Sequence, residues 1–258
     1  MIPDPVEPPI EPFIQPPATN HQPPTVVGRL VALLEVLICS DFPTQLALGA
    51  TVAALGYKPF GATGRLQVAY VVGLSLVDAV VLVGLIMLFL YSHGESPREV
   101  LFGRRRIGDE IAYGIPLTLI ALVAGIGGLL AIQYLLPWLH SVQQNPLEGL
   151  LSSRRDAWLF GLVVLVAGGV REEIQRAFLL HRFEVWLGGS TVGVAVTSAA
   201  FGAGHLLQGY DAAIVTGLLG AFWGVIYLRR RSVVAPMVSH AGFDLVQIIQ
   251  FVATRTPG

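Results

Sequence analysis

Long apolar segments recur along almost the whole of this 258-residue chain. A helix that crosses the hydrocarbon core of a bilayer needs roughly 20 predominantly apolar residues. Only 13% of the residues are charged, whereas soluble domains carry about 25%. The candidate spans are residues 27–56, 67–91, 110–138, 157–186, 190–208, 212–228 and 233–253. The sequence therefore predicts an all-α, polytopic transmembrane helix bundle of about seven spans over residues 26–256.

A polar interruption divides the first candidate span. The helix must bend or break at Ser40-Asp41-Phe42-Pro43, so this segment is either one kinked span or a span followed by an interfacial helix. Upstream, residues 1–25 contain nine prolines and no Lys or Arg. Proline at this density excludes regular helix, and the sequence predicts a disordered, proline-rich N-terminal tail.

Positive charge marks one end of several spans. Arginine clusters follow the second and sixth spans, and His181-Arg182 ends the fourth. With about seven spans these clusters fall on one side, which the positive-inside rule assigns to the cytoplasm. The net charge of −1 gives no support for a nucleic-acid partner, which requires a basic face. The predicted environment is the lipid bilayer.

The fourth span carries four charges where a bilayer disfavours them: Arg171, Glu172, Glu173 and Arg176. Each charge near a helix centre costs about 2.5–3.5 kcal/mol on insertion scales, so the cluster costs roughly 10 kcal/mol before compensation. Arg176 lies four and three residues after the two glutamates and can reach both. The cluster is a self-neutralising ion-pair group, a helix end at the interface, or part of a polar site inside the bundle.

Two later spans add polar pairs at helical spacing. The fifth contains Phe201 and His205, and the seventh contains His240 and Asp244; each pair is four residues apart and lies on one helix face. Taken singly, each histidine is typical of a hydrogen bond between helices. Together with the glutamates they supply a general base, a charge stabiliser and proton carriers, which favours one shared catalytic pocket.

These three groups resemble the motifs of the CPBP family of membrane-embedded endopeptidases, which includes the type II CAAX prenyl protease and the bacterial Abi proteins. The family pattern is a double glutamate followed by an arginine, then Phe-x-x-x-His, then His-x-x-x-Asn/Asp. The last two motifs are matched by Phe201-x-x-x-His205 and His240-x-x-x-Asp244, and the first is resembled by Glu172-Glu173-Ile174-Gln175-Arg176. The resemblance covers about residues 150–250.

The first motif departs from the family spacing. The family usually has three residues between the second glutamate and the arginine, whereas only Ile174 and Gln175 intervene here. If the glutamates keep their places, Arg176 moves by about 100° around the helix. If Arg176 keeps its place, Arg171 replaces the first glutamate and the catalytic base is lost. The first register is preferred because it retains both acids, and an inactive relative is the alternative.

The resemblance implies that the chain is an enzyme that hydrolyses peptide bonds within or near the membrane. In that interpretation Glu172 activates a water with the help of His205. The oxyanion is stabilised by His240 and Asp244, of which Asp244 serves mainly to orient His240. Arg176 holds Glu173 and sets the local charge.

A metal-free mechanism is preferred for this site. If a metal is used, its ligands are Glu172, His205 and His240, zinc is the candidate, and the chain is a metalloendopeptidase. The sequence contains no His-Glu-x-x-His motif. The implied partners are membrane proteins or membrane-associated peptides, including prenylated or lipid-anchored ones, in a bacterial plasma membrane.

Two other functions use the same polar residues. A catalytically inactive immunity or scaffold protein would keep the polar core for packing alone. A proton-coupled transporter would also need Glu35, Asp41 and Asp78 in the first two spans, which we interpret instead as helix-break or interhelical contacts.

Overall fold

The computed structural model of the chain describes residues 25–61, 64, 66–143, 149–150 and 153–254. The predicted all-α class is confirmed: these ranges contain helices and no β-strand, apart from an isolated bridge between Phe60 and Leu66. The predicted disordered tail lies outside the described residues, except for Thr25. The helices are α1 (Val26–Ile38), α2 (Phe42–Ala54), α3 (Val68–Ser92), α4 (Ile107–Leu135), α5 (Arg154–Val163), α6 (Glu172–Trp186), α7 (Ser190–Gly204), α8 (Tyr210–Arg230) and α9 (Val234–Thr254).

The first candidate span is broken into α1 and α2, as its polar interruption predicts. At the break Asp41 adopts a left-handed backbone conformation with φ of 76°, which is uncommon for a residue other than glycine. Its backbone oxygen and side chain accept hydrogen bonds from Thr44 and Gln45 at the start of α2. The break is therefore a structured turn, and each of its two helices is only 13 residues long.

Within the described ranges, three helices are long and apolar enough to cross a membrane by themselves: α3, α4 and α8. The count of about seven spans is not confirmed. The first span is divided at Asp41, and α7 has only 15 residues. The fourth span is interrupted by a π-helix, Val164–Arg171, which joins α5 to α6. The long apolar helices indicate an integral membrane protein.

Glycines allow the helices around the candidate site to pack closely. A Cβ atom at Gly202 of α7 would lie 2.6 Å from the carbonyl oxygen of Ala213 on α8. On α4, a Cβ at Gly114 would lie 2.8 Å from the carbonyl oxygen of Ala235 on α9. Small residues are the usual means of close helix approach in membranes, where packing replaces the hydrophobic driving force. The result is that α7 packs closely against α8, and α4 against α9.

A buried ion-pair network ties α1 and the end of α3 to α6. Arg182, which is 1% exposed, donates to Glu35 on α1 and to Glu95 beyond α3, both at 2.6 Å. His93 contacts Glu35 at 2.6 Å, and His181 contacts Glu95 at 2.9 Å. Burial opposes ionisation of Glu95, yet the hydrogen bonds and charges of His181 and Arg182 lower the pKa of its carboxyl below the usual value.

Candidate active site

The π-helix brings the two glutamates against α9. Two of its residues are glycines, and a Cβ at Gly168 would lie 2.8 Å from Asp244 Oδ2. At Gly169 a Cβ would lie 2.6 Å from the Cβ of Ala241. Any larger side chain would push α9 away from this helix. Short π-helical segments inside α-helices are frequent at functional sites, and this one ends directly before Glu172.

His240 lies at the centre of the candidate site. The residue is 4% exposed, and its Nδ1 lies 2.8 Å from Glu173 Oε1. Its Nε2 lies 3.8 Å from Glu172 Oε2 and also 3.8 Å from Asp244 Oδ2. An ionised glutamate only accepts hydrogen bonds, so Glu173 fixes a proton on Nδ1 and turns Nε2 towards the other two carboxyl groups.

The two glutamates have different environments. The side chain of Glu173 is 1% exposed and that of Glu172 is 19% exposed. Glu173 forms the predicted ion pair with Arg176, whose guanidinium also lies over the ring of Phe201 at 4.6 Å. Glu173 is therefore a structural anion with two partners, whereas Glu172 is the acid that a substrate or water can approach.

Two details of the predicted arrangement are wrong. Arg176 was expected to reach both glutamates, but it pairs with Glu173, and the cation beside Glu172 is Arg171, whose Nη2 lies 3.6 Å from Glu172 Oε1. Asp244 was expected to orient His240, but 3.8 Å is too long for a hydrogen bond. The orienting hydrogen bond comes from Glu173 instead, because α6 presents that residue directly to Nδ1.

His205 lies one aromatic ring away from this centre. Its ring centroid is 4.9 Å from that of Phe201, which in turn is 6.0 Å from that of His240. Its Nδ1 donates to the carbonyl oxygen of Phe201 at 2.8 Å. The structure thus brings Glu172, Glu173, Arg176, His240 and Asp244 together, and Phe201 lies between that group and His205.

Two residues that the sequence did not single out complete the site. The indole of Trp223 on α8 stacks on the His240 ring, with centroids 3.8 Å apart and planes 19° apart. Its Nε1 donates to Ser239 Oγ at 3.1 Å. Trp223 is 1% exposed. The His240 imidazole is thus held by the Trp223 stack on one face and by the hydrogen bond to Glu173 at one edge. A tryptophan in an apolar span gives no sequence signal for such a contact.

The three predicted metal ligands do not form a metal site in this arrangement. Among the described residues, no group of three or more His, Cys, Asp or Glu side chains is placed to hold a metal ion. Of the predicted ligands Glu172, His205 and His240, both histidines already use their Nδ1 atom. His205 Nδ1 contacts the carbonyl oxygen of Phe201, and His240 Nδ1 contacts Glu173.

Comparison with known proteins identifies the segment that carries these residues. Residues 154–246 match the family model described as Rce1-like, type II CAAX prenyl endopeptidase Rce1-like. These residues form an Rce1-like domain. Comparison with curated proteins and with solved structures gave no match.

The Rce1-like domain contains every residue of the candidate site. It begins at the start of α5, includes the π-helix and α6 to α8, and extends past Asp244 on α9. The resemblance to the family of CAAX-type membrane endopeptidases is confirmed for this segment, and the family is one of intramembrane proteases.

Proposed function

We propose that the chain is an intramembrane endopeptidase in which Glu172 activates the hydrolytic water. The observation that carries this proposal is the fixed imidazole of His240, whose Nε2 faces the carboxyl groups of Glu172 and Asp244 at 3.8 Å each. This geometry lies within the Rce1-like domain. Because the spacing of about 4 Å exceeds a direct hydrogen bond, the three groups leave a place where a water or a carbonyl oxygen can be contacted by all of them.

Glu172 is the acid suited to act as general base, because it is the more exposed of the two glutamates and is not paired at hydrogen-bond distance. It takes a proton from water while the water oxygen bonds to the scissile carbonyl carbon. The tetrahedral intermediate then breaks its C–N bond. The proton held by Glu172 passes to the leaving amine, so that the carboxylate is regenerated.

His240 is the group that stabilises the oxyanion in this proposal. Its Nδ1 proton is held by Glu173, so Nε2 donates to the negative oxygen when the ring carries a second proton and is an imidazolium. Stacking on Trp223 prevents the ring from turning, which keeps the donor in place before the reaction. In its ionised form, the Asp244 carboxylate beside Nε2 favours the protonated imidazole. His205 acts as a further proton carrier at the edge of the site.

The proposed protein crosses the membrane about seven times, with α1–α2 and α5–α6 each acting as one interrupted crossing. The arginine clusters place the ends of α3, α6 and α8 on the cytoplasmic side of a bacterial plasma membrane. The proposed substrates are membrane proteins or membrane-associated peptides, including prenylated or lipid-anchored ones. The mechanism uses no metal.

A substrate search tests the function in cells. Membrane peptides are quantified by mass spectrometry in cells that carry the wild type, Glu172→Gln or the control Glu184→Gln. Glu184 lies on the same helix, forms an exposed ion pair with Arg231 and does not contact the site. We expect a set of intact substrates to accumulate with Glu172→Gln alone.

Two other outcomes would replace the proposal. Identical peptide sets in all three strains would favour an inactive immunity or scaffold protein. Proton-coupled solute flux in proteoliposomes that is lost on replacing Glu35 or Asp78 would favour a transporter.

A further inference from the structure

Asp78 is a buried acid near the middle of α3. The residue is 2% exposed, and α3 is one of the helices able to cross a membrane alone. Asp41 and Thr44 lie beside its carboxyl group, but neither carboxyl oxygen has a hydrogen-bond partner of normal geometry. The Nε of Arg171 lies 3.9 Å from Asp78 Oδ2. That Nε atom is itself buried without a hydrogen-bond partner. Three polar atoms in one place thus lack partners that a bilayer-embedded protein must supply.

Residues at the break between α1 and α2 lie next to Asp78 and Arg171. Asp41 receives a hydrogen bond from Arg171 Nη1 at 2.6 Å, and the hydroxyl of Thr44 bonds to the backbone oxygen of Asp41 at 2.9 Å. Thr44 is 8% exposed and Arg171 is 7% exposed. We call Asp41, Thr44, Asp78 and Arg171 the Asp78 cluster. Irregular backbone at membrane depth, as at Asp41, is tolerated where it is buried in protein or borders water.

A bridging water molecule would give partners to the unpaired atoms of the cluster. A buried water needs two to four polar partners, and the cluster offers two acceptor oxygens on Asp78 and a donor on Arg171. Because Oδ2 and Nε are 3.9 Å apart, a water about 2.8–3.0 Å from each fits between them at an angle. The cluster offers two carboxylates, and among the described residues no group of three or more His, Cys, Asp or Glu side chains is placed to hold a metal ion.

The cluster lies directly behind the proposed base. The guanidinium of Arg171 reaches from Asp41 to Glu172, with Nη2 at 3.6 Å from Glu172 Oε1. We infer that the Asp78 cluster is a buried hydration site, and that it supplies the water which Glu172 activates. The second half of this inference rests on the proposed function. Hydrolysis consumes one water per turnover, and a site enclosed by apolar helices must hold its water on polar groups nearby.

Radiolytic labelling tests the hydration site without any activity. Hydroxyl radicals made from bound water by an X-ray pulse oxidise neighbouring side chains. In the full chain with Cys39→Ala, single thiols are introduced by Thr44→Cys in the cluster and by Leu82→Cys one turn along α3. Leu82 is fully buried in an apolar cluster and is the matched control. We expect the thiol at position 44 to be oxidised at least roughly tenfold faster than that at 82. Equal rates would overturn the hydration site.

The supply of water is tested by Asp78→Leu and Asp78→Asn. Leucine removes the polar groups while Arg171 keeps its hydrogen bond to Asp41, so we expect the protein to stay folded and kcat to fall by roughly tenfold or more, with KM unchanged. Asparagine keeps the hydrogen-bonding capacity and should retain most of kcat. The control is Ser198→Ala, which removes another buried unpaired hydroxyl on α7 and should leave kcat unchanged. A merely structural Asp78 would not separate stability from kcat in this way.

The outcomes separate this inference from the proposed function. If Glu172→Gln is inactive while Asp78→Leu keeps the wild-type kcat, the supply of water by the cluster is refuted and the protease stands. If the wild type cleaves no peptide, the supply step is refuted together with the protease. The labelling result decides the hydration site in either case.

Discussion

The buried ion pair between Arg176 and Glu173 provides the sharpest prediction about stability. Both residues are buried, with 5% and 2% exposure. Replacing Arg176 by methionine keeps the apolar length of the side chain but leaves Glu173 with His240 as its remaining described partner. Removing one partner of a buried pair costs about 3–5 kcal/mol. Loss of the cation–π contact with Phe201 adds about 0.5–2 kcal/mol.

Together these losses amount to about 3.5–7 kcal/mol, and we expect the lower end, about 3.5 kcal/mol, because His240 can carry a compensating proton. At about 1.4 kcal/mol per factor of ten, the unfolding equilibrium constant rises roughly 300-fold. The assay is reversible unfolding in mixed micelles at fixed detergent composition, with helicity as the signal. The free energy of unfolding of Arg176→Met is compared with that of the wild type.

The double variant Glu173→Gln/Arg176→Met is the decisive control. It removes both charges, while the glutamine oxygen can still accept from His240 Nδ1. We expect it to recover most of the lost free energy, since replacing a complete buried pair is often close to neutral. The reasoning is refuted if Arg176→Met unfolds within about 1 kcal/mol of the wild type, or if the double variant is no more stable than Arg176→Met.

Three further predictions concern the packing at Gly169, the pKa of Glu95 and the effect of a chelator on cleavage. Gly169→Val should destabilise the protein by about 1–3 kcal/mol and reduce cleavage, because the new side chain meets Ala241. The control is Gly84→Ala, at a helical position with open space around it. Equal effects of the two substitutions would contradict the packing argument. Because the pKa of Glu95 is lowered in the folded state, its ionised form stabilises the fold above the unfolded-state pKa of about 4.5, and that stabilisation is lost as the pH falls through the folded-state pKa. Glu95→Gln should therefore flatten the acid limb of the stability curve. An unchanged acid limb would contradict this reasoning. Dialysis against a strong chelator should leave cleavage unchanged, and activity restored only by added zinc would show a metal enzyme.

Much of the fold could be predicted because bilayer insertion imposes simple requirements. Apolar length located the helices, and the polar residues around Asp41 located the break between α1 and α2. The number of crossings could not be confirmed in the same way. Hydropathy counts residues, whereas α7 is short and the π-helix before Glu172 changes the winding of its segment.

Helical spacing in the sequence indicated which polar residues share a helix face, but not which residues of different helices meet. Helical spacing correctly placed His240 and Asp244 on one face and paired Arg176 with Glu173. Spacing along one helix does not encode which residue of another helix comes opposite. The stack of Trp223 on His240 and the pairing of Arg171 with Asp41 depend on such rotations. These contacts therefore required the structure.

The most direct test of the central claim is the rate of peptide cleavage by Glu172→Gln. Purified wild type, Glu172→Gln and Glu184→Gln are reconstituted in proteoliposomes, and cleavage of a peptide found in the cellular search is followed by mass spectrometry. Each preparation is normalised to the folded fraction. General-base catalysis contributes about 10²–10⁴-fold, so the account predicts a loss of that size for Glu172→Gln and wild-type rates for Glu184→Gln. Cleavage by Glu172→Gln within about threefold of the wild type would contradict it.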